Sequence, residues 1–343
     1  MNLGLLRKAF LVLSVLLLAC TAQDRTDYSE VVKLRKVMDI GQSALPKGLS
    51  FDMIDDISVD GQGNIYVSEN SKYHIIKFNK NGKYLLHFGE LGQGPGEFMG
   101  SVVQLAIDND NNVYVTDSKN GRVEKYESNG KYLDEYTSFS PLDITLDNES
   151  NLYIWPSENR GYMLTRYNCN QDSKEAAYLI KQINKSDELR LEHCILGIKE
   201  NNLYLVSNLK RFIYIYDLNG KRKAKWKVND PEFTDNFKGR VKHIRETVKQ
   251  KRAKVSLNPF VDLAIDPQGN LALLYLWEDF TKDKDGKDRF KPLIYLFTPQ
   301  GRFLYKLSGI DGPISKISYD EKGSLYAVSI VKSSIEKYVI AEN

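Results

Sequence analysis

The sequence predicts an all-β fold, a six-bladed β-propeller with four-stranded antiparallel blades, on three observations. A hairpin signature recurs along the chain, a second hairpin follows it, and the copies are spaced like propeller blades. Two further features are expected: an N-terminal strand that closes the last blade, and a helical insertion between blades 4 and 5.

The first hairpin is clearest where Asp56-Ile-Ser-Val-Asp-Gly-Gln-Gly-Asn-Ile-Tyr-Val-Ser-Glu69 is set against Gln104-Leu-Ala-Ile-Asp-Asn-Asp-Asn-Asn-Val-Tyr-Val-Thr-Asp117. An alternating segment ends in Asp, Gly and Asn turn the chain, and a second alternating segment leaves. The unit returns at Asp143 to Trp155, Gly197 to Ser207, Asp262 to Tyr275 and Lys316 to Ser329. Between Asp60, Asp108, Asp147, Lys199, Asp266 and Asp320 the intervals are 48, 39, 52, 67 and 54 residues. The second hairpin is plain at His74 to Leu86, Arg122 to Leu133, Ile213 to Lys221 and Ile294 to Leu304, with Gly at the turn where φ must be positive. A lone four-stranded sheet leaves both faces and its edges unsatisfied, so such units stack radially about a channel. The last unit shows only three strands, 314 to 319, 324 to 330 and 334 to 340. Glu30 to Val37, with Val31, Val32, Leu34 and Val37, is the expected fourth.

Composition bounds the function classes. Of 343 residues 42% are hydrophobic and 27% charged, which supports a real core and excludes disorder. Forty-eight Lys and Arg against 45 Asp and Glu leave +3, so no global field draws nucleic acid. Residues 1–19 read as a lipoprotein signal peptide: Arg7 and Lys8 precede the apolar run Ala9 to Ala19, which is too short to span a bilayer. Leu17-Leu18-Ala19-Cys20 resembles a bacterial lipobox, which makes Cys20 the lipidation site; the other reading is ordinary cleavage that leaves Cys20 free. Residues 20–27 form a tether and residues 28–343 the propeller. Cys169 and Cys194 either pair or remain free thiols.

The stretch Gly89-Glu-Leu-Gly-Gln-Gly-Pro-Gly-Glu-Phe98, followed by Leu105 to Asp108, Val113 to Asp117, Asn120 to Val123 and Gly130 to Leu133, resembles an NHL repeat. With the leader, the chain is similar to bacterial six-bladed propeller lipoproteins of the NHL-repeat and TolB-like type. The resemblance implies a fold; its members include binding scaffolds as well as lactonase-like and lyase-like enzymes.

Loops joining strands 2 and 3, and strand 4 to the next blade, share one face of such a propeller. On that face the expected ligand-binding residues are Glu69, Tyr73, Asp117, Arg122, Trp155, Arg160, Arg211 and Trp277. The alternative for Asp117 and Arg122 is mutual bracing of adjacent loops. The insertion at about 229–258 carries a helical stripe, Phe237, Val241, Ile244 and Val248, amid many cations. It reads either as a lid packed on the propeller or as a surface for membrane or anionic ligands. Asp283-Lys-Asp-Gly-Lys-Asp288 departs from the calcium-loop order and reads as a solvated turn.

No catalytic residue is assigned from the sequence. His74, His87, His193 and His243 form no ligand pair, and Gly92 to Gly96 is a connector without a following helix pattern. The expected function is therefore that of a non-catalytic envelope protein, lipid-anchored and periplasmic or surface-exposed, binding a ligand or an envelope protein partner without a cofactor. The alternative is a metal-dependent lactonase-like hydrolase or lyase at the channel mouth. The resemblance implies that such an enzyme holds a divalent cation through Glu, Asn and Asp from separate blades, here Glu69, Asp117, Asn159, Asn208 and Glu278.

Overall fold

The computed structural model describes residues 26–99, 102–155, 162–169, 176–181, 194–207, 212–239, 242, 260–278 and 290–342. The leader and Cys20, the loops carrying Arg160 and Arg211, and most of the 229–258 insertion lie outside the described residues.

After β1 (Val31–Ile40), blade 1 comprises β2 (Ile54–Val59), β3 (Ile65–Glu69), β4 (His74–Phe78) and β5 (Tyr84–Phe88). A connector holding the short parallel pair β6 (Glu90–Leu91) and β7 (Glu97–Phe98) leads to blade 2, β8 (Val102–Ile107), β9 (Val113–Asp117), β10 (Arg122–Tyr126) and β11 (Tyr132–Thr137). Blade 3 is β12 (Asp143–Leu146), β13 (Asn151–Trp155), β14 (Tyr162–Asn168) and β15 (Ala176–Lys181). Blade 4 is β16 (Cys194–Lys199), β17 (Asn202–Ser207), β18 (Phe212–Tyr216) and β19 (Arg222–Lys227). A helix, α1 (231–239), precedes blade 5, which is β20 (Phe260–Ile265), β21 (Leu271–Glu278), β22 (Phe290–Phe297) and β23 (Phe303–Ser308). Blade 6 contains β24 (Ile314–Tyr319), β25 (Leu325–Ser329) and β26 (Ser334–Ile340). β1 runs antiparallel to β26 from Leu34 to Ile40 and parallel to β23 from Val31 to Lys33, so blades 5 and 6 share one continuous sheet.

The first strands of the six blades, β2, β8, β12, β16, β20 and β24, touch one another in sequence, and β24 returns to β2. That closed ring puts the channel at its centre. Strands β3, β9, β13 and β25 are buried along their whole length because a neighbouring blade covers each face, so that even the polar Ser68, Glu69, Thr116 and Asp117 in them are buried. The outer strand β5 alternates partly buried with exposed residues, as a wall with one wet side does.

One turn recurs between the first and second strands. Asp60, Asp108, Asp147, Asp266 and Asp320 each accept main-chain N–H groups from their own turn; at Asp147 the donors are Glu149 N (3.0 Å) and Asn151 N (2.9 Å), with Asn151 Nδ2 at 2.8 Å and Tyr153 Oη at 3.1 Å. The third residue after each Asp has positive φ: Gly63, Asn111, Ser150, Gly269 and Gly323. The carboxylate thus satisfies donors that the tight turn removes from the ladder.

Helix α1 docks through Phe233, which is fully buried and stacks on Phe260 (centroids 5.3 Å apart) and meets Tyr275 edge-on (4.5 Å). Phe237 stacks on Phe233. Just ahead of the helix, Asp230 accepts from Tyr295 Oη (2.7 Å) and pairs with Lys306 (2.7 Å). Cys169 and Cys194 are both free thiols.

The blade 3 turn yields two substitutions of opposite sign. Asp147→Ala strands buried donors and is expected to cost about 1–3 kcal/mol. Ser150→Gly relieves a left-handed serine (φ 59°) and is expected to stabilise by roughly 0.5–1 kcal/mol, net of the added freedom of the unfolded chain. Chemical denaturation of both variants checks the pair; equal effects, or a destabilising glycine, would contradict this account of the turn.

Candidate functional site

Each inner strand brings one side chain to the channel, Lys316 through its ion pairs with two of the others. β2 supplies Asp56, β8 Gln104, β12 Asp143, β16 Ile195, β20 Asp262 and β24 Lys316, beside a cavity of about 180 Å³. The three aspartates occupy blades 1, 3 and 5 and do the same thing in each. Asp56 Oδ2 accepts the main-chain N–H of Leu105, Asp143 Oδ2 that of Leu196, and Asp262 Oδ2 that of Ile317, each at 2.7 Å. Every acceptor is on one blade and its donor on the next, so the carboxylates fasten blade 1 to 2, 3 to 4 and 5 to 6.

Lys316 supplies the counter-charge. Its Nζ is 3.5 Å from Asp262 and 3.7 Å from Asp56. Gln104 bridges this pair: with its amide oxygen turned toward the ammonium, it accepts from Lys316 at 2.6 Å and donates to Asp56 at 3.0 Å. Burial pushes the carboxyls upward, Asp56 to about 6 and Asp143 to about 7, although Lys316 pulls the other way; Asp262 moves in the same direction for the same reason. The three neighbouring carboxylates hold the lysine firmly protonated despite its burial. This collar was missed in reading the sequence, though its signal was present. Asp56, Gln104, Asp143, Asp262 and Lys316 begin or adjoin the recurring hairpin, and the Asp repeats in alternate units.

The loop-face residues expected to contact a ligand divide by environment. Glu69 is fully buried and accepts from the main-chain N–H groups of Asp52 (3.2 Å), Met53 (2.9 Å) and Lys72 (2.8 Å) and from Ser71 Oγ (2.7 Å). Asp117, also fully buried, holds Asn120 Nδ2 (2.6 Å) and the Met99 N–H. Both close the entry loop of their own blade.

Arg122 clamps the Gly89–Phe98 connector through the carbonyls of Gly94 (2.6 Å) and Glu97 (2.9 Å), and pairs with Glu124 (2.7 Å) and Glu135 (2.8 Å). Burial raises Glu124 to about 7, and Tyr126 donates to it. Trp155 corrects the expectation of a rim residue: it is 1% exposed, packed with Met163 and Leu205 in the core of blades 3 and 4, and offers no face to a ligand. The reason is its place at the end of β13, opposite Asp143, where both faces of the strand are covered. Tyr73, at φ 60°, and Trp277, with Lys291 Nζ 5.7 Å from its ring, are partly buried.

Arg160, Arg211, Asn159 and Asn208 lie outside the described residues, as does the Glu278 side chain. Among the described residues, no group of three or more His, Cys, Asp or Glu side chains is gathered closely enough to hold a metal ion.

A wider opening lies between blades 2 and 3. The loop 118–121 and the connection 137–140 form one wall, and Tyr167 and Tyr178 the other, around a cleft of about 590 Å³.

The collar's acids generate a pH dependence. In water Asp titrates near 3.8, whereas folded Asp143 titrates near 7, so the fold favours the protonated acid. The stability this confers is complete below about 3.8 and is lost as pH rises through about 7. Asp143→Asn keeps an acceptor for the Leu196 N–H without the charge. Its melting temperature relative to the native protein is expected to climb between pH 4 and 7 and then level off. Melting curves across that range check this, and a flat or falling difference would contradict it.

Solved structures with similar folds span nearly the whole chain. Virginiamycin B lyase from Staphylococcus aureus superposes with a TM-score of 0.53 at 13% identity, covering 90% of this chain and 99% of that one. A gluconolactonase from Xanthomonas campestris gives 0.55 at 10%, covering 90% and 89%. A putative exported protein from Bacteroides fragilis gives 0.57 at 13%, covering 93% and 98%. At such identities the likeness is one of fold. No curated protein matches the sequence. Residues 46–219, just over half of the chain, match the DUF5128 family, described as a 6-bladed beta-propeller, and the chain belongs to that family.

Proposed function

We propose that the protein is a non-catalytic binding propeller of the cell envelope, lipid-anchored at Cys20 and periplasmic or surface-exposed, which engages a ligand or partner protein on its loop-rich face. One observation carries the reading: among the described residues, the acidic groups that chemistry or a metal would need are already engaged within the fold. Glu69 and Asp117 hold main-chain donors, and the channel carboxylates hold neighbouring blades around the Lys316 ammonium. Freeing any of them leaves a buried main-chain donor without its partner, at a cost of about 1–3 kcal/mol. The cleft between blades 2 and 3, by contrast, is open to a ligand. The charged n-region, apolar run and cysteine of the leader support the address and the anchor, and β1 between blades 5 and 6 supports ring closure by the N-terminal segment.

Two measurements on the full chain test this. Labelled palmitate is expected to enter the native protein and not Cys20→Ser, which should leave the membrane fraction. Metal analysis after equilibration with calcium or zinc is expected to give far less than one ion per chain. A stoichiometric ion that Glu69→Ala or Asp117→Ala removes would overturn the non-catalytic reading in favour of a metal-assisted hydrolase or lyase.

A further inference from the structure

Blade 4 ends in an outer strand, β19, with an unusual charge, and we infer that this edge of the propeller lies against the bilayer with its cations on anionic phospholipid headgroups. This orientation rests on the lipid-anchor reading above. Residues 221–227 read Lys-Arg-Lys-Ala-Lys-Trp-Lys, five cations in seven residues with no acid among them. The whole chain carries +3 and this run supplies +5 of it, so the remainder is at −2 and the positive charge is concentrated on one strand. Lys221, Arg222 and Lys223 are exposed. Lys223 Nζ donates to the Asn201 carbonyl and to Asn202 Oδ1, both at 2.8 Å, and Lys225 Nζ lies 3.8 Å from the centroid of the Phe212 ring. Those partners are neutral and leave the charge in place. The acids nearest in sequence are engaged: Asp217 accepts from Lys221 N (2.9 Å) in closing its turn, Asp230 and Glu232 pair with Lys306, and Asp235 pairs with Lys238. Protection of an open β edge does not account for so much charge, since β5 ends its sheet in the same way with neither Lys nor Arg, and so does β11.

The place where the tether meets the propeller is the second, independent sign. Tyr28 is docked there: its ring centroid is 4.6 Å from that of Phe303 and 6.3 Å from that of Tyr295. Its Oη accepts from Asn229 N at 3.4 Å, two residues beyond Lys227. Trp226 of the same strand packs on Phe297, and Phe297 meets Phe303, so strand and tether share one aromatic shelf. From Cys20 to Tyr28 the chain reaches at most about 28 Å, and β19 is about 20 Å long. An acyl group on Cys20 therefore holds the bilayer within reach of the whole strand. Cations brought that close to an anionic surface lie within its unscreened field, and each strengthens attachment about fivefold. The ring then stands on its edge, and neither of its faces is pressed on the lipid.

The test is co-sedimentation with vesicles at low salt, using residues 20–343 with Cys20→Ser, which keep every described element and carry neither leader nor acyl group. Binding is expected to vesicles of equal parts phosphatidylglycerol and phosphatidylcholine, to disappear in high salt, and to be absent with phosphatidylcholine alone. Lys221→Gln combined with Arg222→Gln is expected to weaken binding about 25-fold at an unchanged melting temperature. Lys80→Gln combined with Lys83→Gln removes the same charge from exposed positions on blade 1, across the ring, and is expected to leave binding nearly unchanged. No binding to the anionic vesicles, or an equal loss from the two double variants, overturns the assignment of this edge. Palmitate labelling reads acylation of the native chain, so the anchor and the orientation fail separately.

Discussion

Carboxylate oxygens accepting the main-chain N–H of the following blade, three times around the channel, are the interaction on which the rest of the structure depends. The inner strands of blades 2, 4 and 6 turn the main-chain donors of Leu105, Leu196 and Ile317 toward the preceding blade. A short acid on alternate strands satisfies those donors and fastens the wedges in pairs. Three buried carboxylates would repel one another, so the cluster needs a cation at hand. Lys316, reaching in from blade 6 and relayed by Gln104, is that cation. Burial first, and the neighbouring carboxylates after it, explain why the aspartates are pushed toward neutrality instead of being held fully ionised.

The same economy governs the loop-rich face. Glu69, Asp117 and Arg122 sit where a solvent-facing loop turns back beneath an entry strand, and there the backbone itself needs partners. A carboxylate at the end of a second strand is therefore a bracket first. What the brackets leave behind is a set of well-held loop edges, and between blades 2 and 3 these edges stand far enough apart to form a cleft with aromatic walls. Rigidity at the rim and openness beside it are two results of one arrangement.

Much of the architecture was legible because blade geometry is written in local chemistry. The Asp that closes the first turn in five of the six blades, the positive-φ residue three places later and the two-residue periodicity all act over a few positions, so Asp60, Asp147 and Asp320 announce their turns. Site residues were legible only where environment follows from local sequence. Trp155 has the composition of a contact residue, and its burial is decided by blade 4, which no local pattern reports. The collar escaped for a related cause: Asp56, Asp143 and Asp262 are remote in the chain, and their joint meaning requires the ring. Phe139 and Ser138 belong to an irregular connection, where neither periodicity nor turn chemistry assigns a role.

The position of β1 has a temporal consequence. Lys36 reaches Glu336 across a separation of 300 residues, and the strand that carries it leaves the ribosome long before either of its neighbours exists. Until residues 303–340 are made, Val31 to Ile40 is an unpaired β-edge with an apolar side, and the incomplete ring is a C-shaped intermediate open to pairing with other chains. The ring is therefore complete only when the last-made hairpin and the first-made strand meet within one molecule.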